Sequence, residues 1–545
     1  MLIQLWMAEG FLQQKVGGQE LMENLGNEYF DDLRARGFFQ ERQNNRYGDI
    51  RTCNIHDAFE KVISLYECSV VNASCAEGDN SLIRHFSLVQ DSAISTFPKA
   101  LHHAKKVRTF ISYIRTYANI KDLCPNIFLH FKCLRVLDLS NTNVEKVSSS
   151  IGNLKQLRYV NLSRTDIVVL PASVTSLHNL QTLKLKRCNR LQELPRDMRN
   201  LVNLRHFSIS NLGYWTQMPR NIGRLSFLQT LTIFVVAKNK KKGQGIKELE
   251  GLNLLQGKLE VRDLENVKNE IEAKEANLRG KDRVRRLELH WTANDYNDGR
   301  ETVEFVLKGL QPHPNLEILG INHYSGVHFP LWMTSALHIP RLFEMSLRHC
   351  NRLEHLSGFG QLPSLRVLKV FEMNRLKCFG DEEILETFPS LNTLILHRLS
   401  NLEEWVKSKS LSFSCLEVLS IEDCPRLSTM PAHFPSLKEL RLLNCGSMIV
   451  NVIAMSNLTS LTSLIIQGFP ELTCLPHSLL ENCKHLRRLQ IRNCHKIEAL
   501  PQNKEGIQFF CSSSLESLEI SDCPALKCAR FAWFTFSSEV NYYRL

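Results

Sequence analysis

The pattern L-x-x-L-x-L recurs along this chain at a nearly fixed interval. Its clearest copy contains Leu134, Leu137 and Leu139, and the first five copies start at residues 134, 157, 180, 204 and 228. Further copies start at 284, 316, 342, 365, 391, 416, 437, 461, 486 and 515. One unit of this length cannot bury its apolar residues alone, whereas stacked units share a continuous core. The spacing therefore predicts a solenoid of leucine-rich repeats.

The predicted fold class is α/β, with parallel strands on a concave face and an irregular convex side. Proline in the return segments, as in Leu170-Pro171 and Leu194-Pro195, prevents the strands from continuing. We assign residues 82–528 to the solenoid and residues 529–545 to an irregular C-terminal tail. The aromatic residues of that tail leave open a second interpretation, a packed cap over the last repeat.

The first 70 residues do not follow the repeat. Leu21, Leu25, Tyr29 and Leu33 recur every four residues, which predicts a helix after a shorter helix near the N-terminus. Short apolar runs starting at residues 38 and 50 predict two strands with a turn between them. Two helices and a hairpin give a small, mainly α, winged-helix-like domain at 1–70, followed by a linker at 71–81.

Cysteine spacing argues for a structural role of the thiols and against a zinc site. The 17 cysteines include no C-x-x-C pair, so a zinc site is not predicted. Small residues instead recur three residues after the last aliphatic of each strand: Thr142, Thr165, Cys188, Cys350, Cys424, Cys445, Cys494 and Cys523. We expect these to be structural thiols and hydroxyls in a reducing compartment. The net charge of +11 is a modest excess that bears on association and not on fold.

The chain shows neither a signal peptide nor an apolar stretch of about 20 residues, the length that a membrane helix needs. We therefore expect a cytoplasmic protein without a transmembrane segment.

Three strings carry a resemblance to a known family: Leu2-Ile-Gln-Leu-Trp6-Met-Ala-Glu9-Gly10-Phe11, Tyr29-Phe30-Asp-Asp-Leu33 with Gly37-Phe38-Phe39-Gln40, and Ile55-His56-Asp57. Together with the repeats, they resemble the winged-helix end and repeat region of plant intracellular disease-resistance proteins. These are nucleotide-binding, leucine-rich-repeat immune receptors of the coiled-coil class. The sequence contains no G-x-x-x-x-G-K-[ST] motif, so we expect it to represent the C-terminal part of such a receptor, as a truncated product or an incomplete gene model.

The resemblance implies a nucleotide-contacting role for His56 and Asp57, which stand where the family has its Met-His-Asp motif. ADP or ATP is the cofactor implied for a full-length member. Read from the residues alone, His56-Asp57 is equally a helix cap, with the aspartate accepting from free backbone amides. We expect no cofactor and no metal in this chain.

The concave face is the candidate binding surface. Its outward positions are mixed in charge and include aromatic residues, which suits a protein partner better than a nucleic acid. The candidate protein-binding residues are Tyr159, Lys184, Lys186, Arg348, Lys369, Phe371, Arg441, Arg488 and Arg492.

Two functions remain open at this point. The resemblance implies a recognition and autoinhibition arm of an innate-immunity receptor, with a pathogen effector or an altered host protein as ligand and the switch module of the same receptor as intramolecular partner. The alternative is a free-standing repeat scaffold or decoy. DNA binding is disfavoured because acidic residues such as Glu23, Asp31 and Asp32 on the second helix would repel phosphate. An enzyme is not predicted, since no paired nucleophile and base stands out.

The missing phosphate-binding loop generates a test. Isothermal titration calorimetry of the purified chain with ADP or ATP is expected to show no binding tighter than millimolar, because a single histidine offers one contact where a nucleotide site needs many. Micromolar binding would contradict this prediction.

Overall fold

The structure is a computed structural model that describes most of the chain. The described residues are 1–12, 21–44, 50–55, 68–71, 83–90, 104–114, 123–210, 218–238, 245–292, 300–380, 388–405, 413–431, 433–454, 456, 458–476, 478–479, 483–498, 515–526 and 542–544. The chain divides into two compact units, Met1–Leu255 and Gln256–Leu545.

Unit 1 begins with the elements that the sequence predicts for a winged helix. Helix α1 spans Leu2–Glu9 and helix α2 spans Met22–Ala35. Strands β1 (Phe39–Asn44) and β2 (Ile50–Ile55) pair antiparallel, with Phe39 opposite Ile55. The helix predicted after Ile55 lies outside the described residues.

The repeat region of unit 1 is a parallel sheet. Its strands β3 to β10 are Cys68–Val71, His85–Gln90, Thr109–Ile114, Val136–Asp138, Tyr159–Asn161, Thr182–Lys186, His206–Ser210 and Thr230–Leu231. Each pairs with the next in chain order. Strand β3 lies before the boundary predicted at residue 82 and pairs parallel with β4, so the sheet begins earlier than the repeat pattern indicates. Strand β11 (Ile233–Val235) follows β10.

The described return segments of unit 1 contain short helices, which give the convex side its irregular character. One α-helix spans Leu123–His130. The 3-10 helices are Ser149–Asn153, Ala172–Ser176, Met198–Asn200, Ile222–Arg224 and Ile246–Leu249. Pro171 stands at the N-cap of the second of these, where its missing N–H costs nothing.

Unit 2 repeats the same arrangement in a second sheet. Strands β12 to β19 are Gln256–Arg262, Arg283–His290, Ile318–Asn322, Glu344–Arg348, His355–Leu356, Val367–Phe371, Cys378–Phe379 and Thr393–His397. Strands β20 to β26 are Glu404–Trp405, Val418–Glu422, Glu439–Leu443, Ser463–Gln467, Arg488–Arg492, Ser517–Ser521 and Tyr542–Arg544. The five-residue strands from β14 to β25 pair parallel and in register.

Three two-residue strands, β16, β18 and β20, form a separate parallel ribbon on the return side of unit 2. The remaining helical segments are the α-helices Glu270–Lys274, Arg300–Gly309, Leu331–Thr334 and Met448–Ala454 and the 3-10 helices Leu264–Asn266, Leu278–Gly280 and Phe359–Gln361. The last strand, β26, runs antiparallel to β25. Residues 529–541 lie outside the described residues, so an irregular tail stays a prediction for them.

In-register stacking produces ladders of equivalent residues. The repeated aliphatics, such as Leu394 and Leu396, are completely buried. Phe388, Phe413 and Phe434 form a second ladder, with ring centroids 5.2 Å and 5.8 Å apart. Each of these phenylalanines stands three residues before the first leucine of its repeat, a signal that the sequence analysis did not use.

The turn after each strand has a fixed chemistry. A residue with left-handed φ, such as Asn141 at 62° or Arg164 at 58°, reverses the chain. The next residue is small and bonds back to the strand: the hydroxyls of Thr142 and Thr165 donate to the carbonyls of Leu139 and Leu162, both at 2.7 Å. The structural role predicted for this position therefore agrees with the observed contacts.

Adjacent residues of β19 allow a test of the inward and outward assignment. Leu394→Asp is expected to lower the free energy of unfolding by about 4 kcal/mol, because it places an unpaired charge in an apolar stack. Ile395→Asp makes the same chemical change at a half-buried outward position and should cost about 1 kcal/mol. Chemical denaturation of both variants measures the difference, and equal losses would contradict the assignment.

Candidate protein-binding strand face

The side chains that alternate with the buried aliphatics form the outward surface of each sheet, here called the strand face. In unit 1 this face is not free, because α1 lies against it. Ala8 is completely buried and packs with Val136 and Tyr159, with Leu5 and Ile111 at the border of the cluster. The expectation that Tyr159 is open to a ligand is therefore wrong: its ring is 0% exposed beneath α1.

The C-terminal end of α1 is held by arginines of the repeats. Helix α1 ends at Gly10, whose φ of 86° is the left-handed conformation that glycine adopts without strain. Arg135 donates to the carbonyl of Glu9. A β-carbon at residue 10 would lie 3.5 Å from the guanidinium groups of both Arg135 and Arg158. Positive charge here complements the negative end of the helix dipole.

The Glu9 carboxylate is buried at the same contact. It accepts a hydrogen bond from the hydroxyl of Thr109 on β5. The Nδ1 atom of His85 lies 3.1 Å from that hydroxyl and 3.9 Å from the carboxylate. Glu9 and Gly10 belong to the string Leu2–Phe11 that carried the family resemblance. The C-terminal end of this string therefore contacts the repeats.

Helix α2 is anchored by a second buried carboxylate, Glu23. Its Oε2 lies 3.2 Å from Nη1 of Arg205, and its Oε1 lies 3.2 Å from Nε2 of His206. Burial raises the pKa of Glu23, but hydrogen bonds with His206 and Gln229 and the charge of Arg205 outweigh it and hold the pKa at about 2. The ion pair thus ties α2 to strand β9.

Two further candidates lie on the same strand face of unit 1. The Nζ of Lys184 donates to the hydroxyl of Tyr159 at 3.2 Å and stands 5.0 Å from the centre of its ring. Burial, assisted by the charge of Lys186 and opposed by Asp138, lowers the pKa of Lys184 to about 8. Lys186, at the end of the strand, is exposed. Of the three candidates in unit 1, Lys186 alone keeps the expected exposure.

The strand face of unit 2 brings Arg348 and Phe371 together on neighbouring strands. The Arg348 guanidinium lies 4.2 Å from the centre of the Phe371 ring, a cation–π contact. The ring of His397, on the next strand, meets Phe371 edge-on at 5.8 Å. Arginine and aromatic side chains dominate the binding energy of many protein interfaces. This Arg348–Phe371–His397 group is the best-formed candidate contact.

The other basic candidates differ in how far they are already paired. Lys369 donates to Glu344 at 2.7 Å, and both side chains are largely buried. The main contact of Lys369 is therefore this ion pair between neighbouring strands. Arg441 pairs with Glu439 at 2.5 Å, and Arg492 pairs with Glu519. Arg488 is exposed at the start of β24. From the strand of Arg348 to that of Arg488 is six strand steps, roughly 29 Å, so these residues do not form one compact site.

One cluster of potential metal ligands lies at the start of unit 2. Glu260, Glu288 and His290 bring one ligand atom each within 4.8 Å of one another. The Nζ of Lys258 lies 3.2 Å from Glu260 and 3.1 Å from Glu288, and Arg286 also pairs with Glu288. These cations already neutralise both carboxylates, so the donor set fits an ion-pair network better than a metal ion.

The remaining candidates, His56 and Asp57, lie outside the described residues. Sequence reasoning missed the docking contacts of Glu9, Glu23, Arg135, Arg205 and His206. The sequence did contain a signal that part of the face is covered: Val136 and Tyr159 place apolar side chains at outward positions, where they would otherwise meet water.

Comparison with known proteins identifies the families that two parts of the chain match. Residues 1–63 match the family described as disease resistance protein winged helix domain, and residues 246–373 match the R13L1/DRL21 leucine-rich repeats. The chain is a homologue of plant disease-resistance proteins. The resemblance expected from the sequence and the α/β repeat fold are thereby confirmed.

Three relatives illustrate the extent of the match. RGA4 of Solanum bulbocastanum is 35% identical over 499 residues, which cover 89% of this chain and 46% of that protein. The disease resistance protein RGA2 of the same species is 31% identical over 92% of this chain and 47% of its own length. The RPP13-like protein 1 of Arabidopsis thaliana is 32% identical over 96% of this chain and 51% of its own length. The chain spans about half the length of these relatives.

Among solved structures, a leucine-rich-repeat protein of Leptospira interrogans aligns at 21% identity and a TM-score of 0.43. The alignment covers 84% of this chain and 94% of the Leptospira chain. Within the part of the chain that the structure describes, no helix has both the length and the apolarity for crossing a bilayer.

The Glu23 ion pair predicts a pH dependence of the docking of α2. A carboxylate whose folded pKa is about 2 and whose ordinary pKa is 4.5 stabilises the folded state above pH 4.5 and loses that contribution as the pH falls towards 2. The full contribution is about 3 kcal/mol at most. The hydrogen-exchange protection factors of α2 amides, which correct for the intrinsic pH dependence of exchange, are therefore expected to fall between pH 5 and pH 3.

Glu23→Gln should remove this pH-dependent part of the protection. The matched control is Glu471→Gln, which breaks an exposed ion pair with Lys496 and should leave the α2 profile unchanged. Identical pH profiles for the wild type and Glu23→Gln would show that Glu23 does not hold α2.

Proposed function

We propose that this chain is the recognition and autoinhibition arm of a plant innate-immunity receptor that acts in the cytoplasm. Its relatives are disease-resistance proteins, which supports a role in defence. The finer assignment rests on one observation: helices of the winged-helix segment cover the strand face of unit 1 through buried contacts.

The chemistry of this contact suits a reversible inhibitory interaction. The buried apolar group around Tyr159 supplies attraction, and the Glu9 and Glu23 carboxylates supply specificity, because each needs its partner in the repeats once water is excluded. Anything that moved the winged-helix segment would leave these carboxylates unpaired. The contact therefore favours one specific position of the winged-helix segment on the repeats of unit 1.

Ligand recognition is assigned to the strand face of unit 2. Arg348 is exposed there and stacks on the half-buried ring of Phe371. A protein ligand that covered this pair would exclude water from an arginine and an aromatic ring together, as at many interface hot spots. A pathogen effector or a modified host protein is the proposed ligand class, and binding rather than catalysis is the proposed activity.

A chimaeric receptor tests the autoinhibition. The portion of RGA4 that precedes its match to this chain is joined in front of residue 1, and the chimaera is expressed in leaves with cell death as the readout. The chimaera with the native chain is expected to stay silent. Glu23→Gln combined with Arg205→Ala should cause cell death without any ligand, because both sides of the α2 anchor are removed.

Glu471→Gln combined with Lys496→Ala is the matched control, since it removes an exposed ion pair of the same types, and it should stay silent. Immunoblotting confirms equal protein levels. Cell death caused equally by both double variants, or by neither, would contradict the proposed role of the docking contact.

A further inference from the structure

The small residue in the turn after each strand is a cysteine in six repeats, which gives six thiols in equivalent positions. Cys350, Cys424 and Cys445 represent the internal repeats. All three are buried, and each lies within 3.6 Å of a carbonyl of its own strand end. Burial raises the pKa of each of these thiols to about 12. They are chemically inert scaffold residues.

Cys494 and Cys523 occupy the same position in the repeats of β24 and β25 but differ from the others. The register pairs Arg492 with Ser521, so the two cysteines stand opposite each other two residues further on. Cys494 is completely buried, whereas Cys523 is partly exposed. Cys523 also lies 3.3 Å from the carbonyl of Ser521, as the equivalent residues do.

The two thiols stand side by side, and each also donates to a carbonyl at the end of its own strand. Interaction with the Cys494 thiol lowers the pKa of Cys523 to about 7 despite the opposing effect of burial. The same interaction, together with burial, raises the pKa of Cys494. The exposed member of the pair is thus the one that ionises first.

The backbone geometry allows these sulfurs to join. Neighbouring strands lie about 4.8 Å apart, which falls within the range of roughly 4.4–6.8 Å between the α-carbons of a disulfide.

We propose that Cys523 is a site of oxidative modification by hydrogen peroxide, with Cys494 as its resolving partner. The assignment combines three features that occur together at this pair: adjacent sulfurs, one accessible member and a buried thiol behind it. Reactive cysteines are distinguished from structural ones by accessibility and thiolate character.

The reaction balances in two steps. The Cys523 thiolate attacks one oxygen of hydrogen peroxide, the O–O bond breaks, and sulfur is oxidised to sulfenic acid while hydroxide leaves and takes up a proton to become water. Cys494 then loses its proton and attacks the Cys523 sulfur. The S–O bond breaks, the S–S bond forms, and the second oxygen leaves as water. Two thiols and one peroxide give one disulfide and two waters.

The chain contains its own control pair. Cys424 and Cys445 also stand in neighbouring repeats, since β21 pairs with β22 in register, but both are buried. If adjacency alone decided reactivity, both pairs would oxidise. If access is required as well, only Cys494 and Cys523 react.

The test exposes the full chain to hydrogen peroxide at pH 7 and maps the products by mass spectrometry. The expected product is one disulfide between Cys494 and Cys523, reversible with dithiothreitol, and none between Cys424 and Cys445. In Cys494→Ser, oxidation of Cys523 should stop at the sulfenic acid and be trapped by dimedone. In Cys523→Ser, Cys494 should remain reduced.

The rate at which hydrogen peroxide oxidises each cysteine of the unmodified chain gives a second test. A lowered pKa means that a larger fraction of Cys523 is ionised at pH 7 than of an ordinary thiol, whose pKa is about 8.5. The lower intrinsic nucleophilicity of such a thiolate offsets only part of that gain, so Cys523 should react faster than an ordinary exposed thiol.

The exposed Cys133, Cys415 and Cys474 provide the comparison. Oxidation of Cys523 no faster than these three, or a disulfide between Cys523 and a cysteine other than Cys494, would overturn the proposal.

Discussion

In-register pairing of parallel strands is the constraint on which the rest of the structure depends. Because Leu394 pairs with Leu368 on one side and Leu419 on the other, each repeat places its residues beside their equivalents. A residue type that recurs in the sequence therefore becomes a physical ladder, as the phenylalanines and the turn cysteines show. The same constraint brings the charged outward residues of neighbouring strands into contact, which is why Lys369 meets Glu344.

The strand face has a different chemical character in the two units. In unit 1 the face carries the apolar group around Tyr159, and the winged-helix segment covers it with two buried carboxylates as anchors. In unit 2 the face alternates in charge, with pairs such as Lys369–Glu344 and Arg492–Glu519 and with the Arg348–Phe371 contact between them. A face that is largely self-neutralised selects a ligand by shape and by a few exposed groups more than by overall charge.

Much of the fold could be predicted from the sequence because it depends on local periodicity. The spacing of leucines predicted the strands, and the four-residue spacing from Leu21 predicted α2. The candidate site was harder, because the contacts of Glu9 with Thr109 and of Glu23 with Arg205 join residues 100 and 182 positions apart. Periodicity carries no information about which surface a helix covers. It identified Tyr159 as outward-pointing, which is correct relative to the sheet, but could not indicate that α1 lies over it.

The apolar group around Tyr159 has a consequence for how these repeats can be studied or reused. Val136 and Tyr159 occupy positions that water would reach in an uncovered solenoid, and both are completely buried by their neighbours. Removing residues 1–12 would expose this apolar patch to water, which promotes self-association. The repeats of unit 1 are therefore not an independent module: their solubility depends on the helix in front of them. Any exchange of repeats between relatives has to exchange α1 as well.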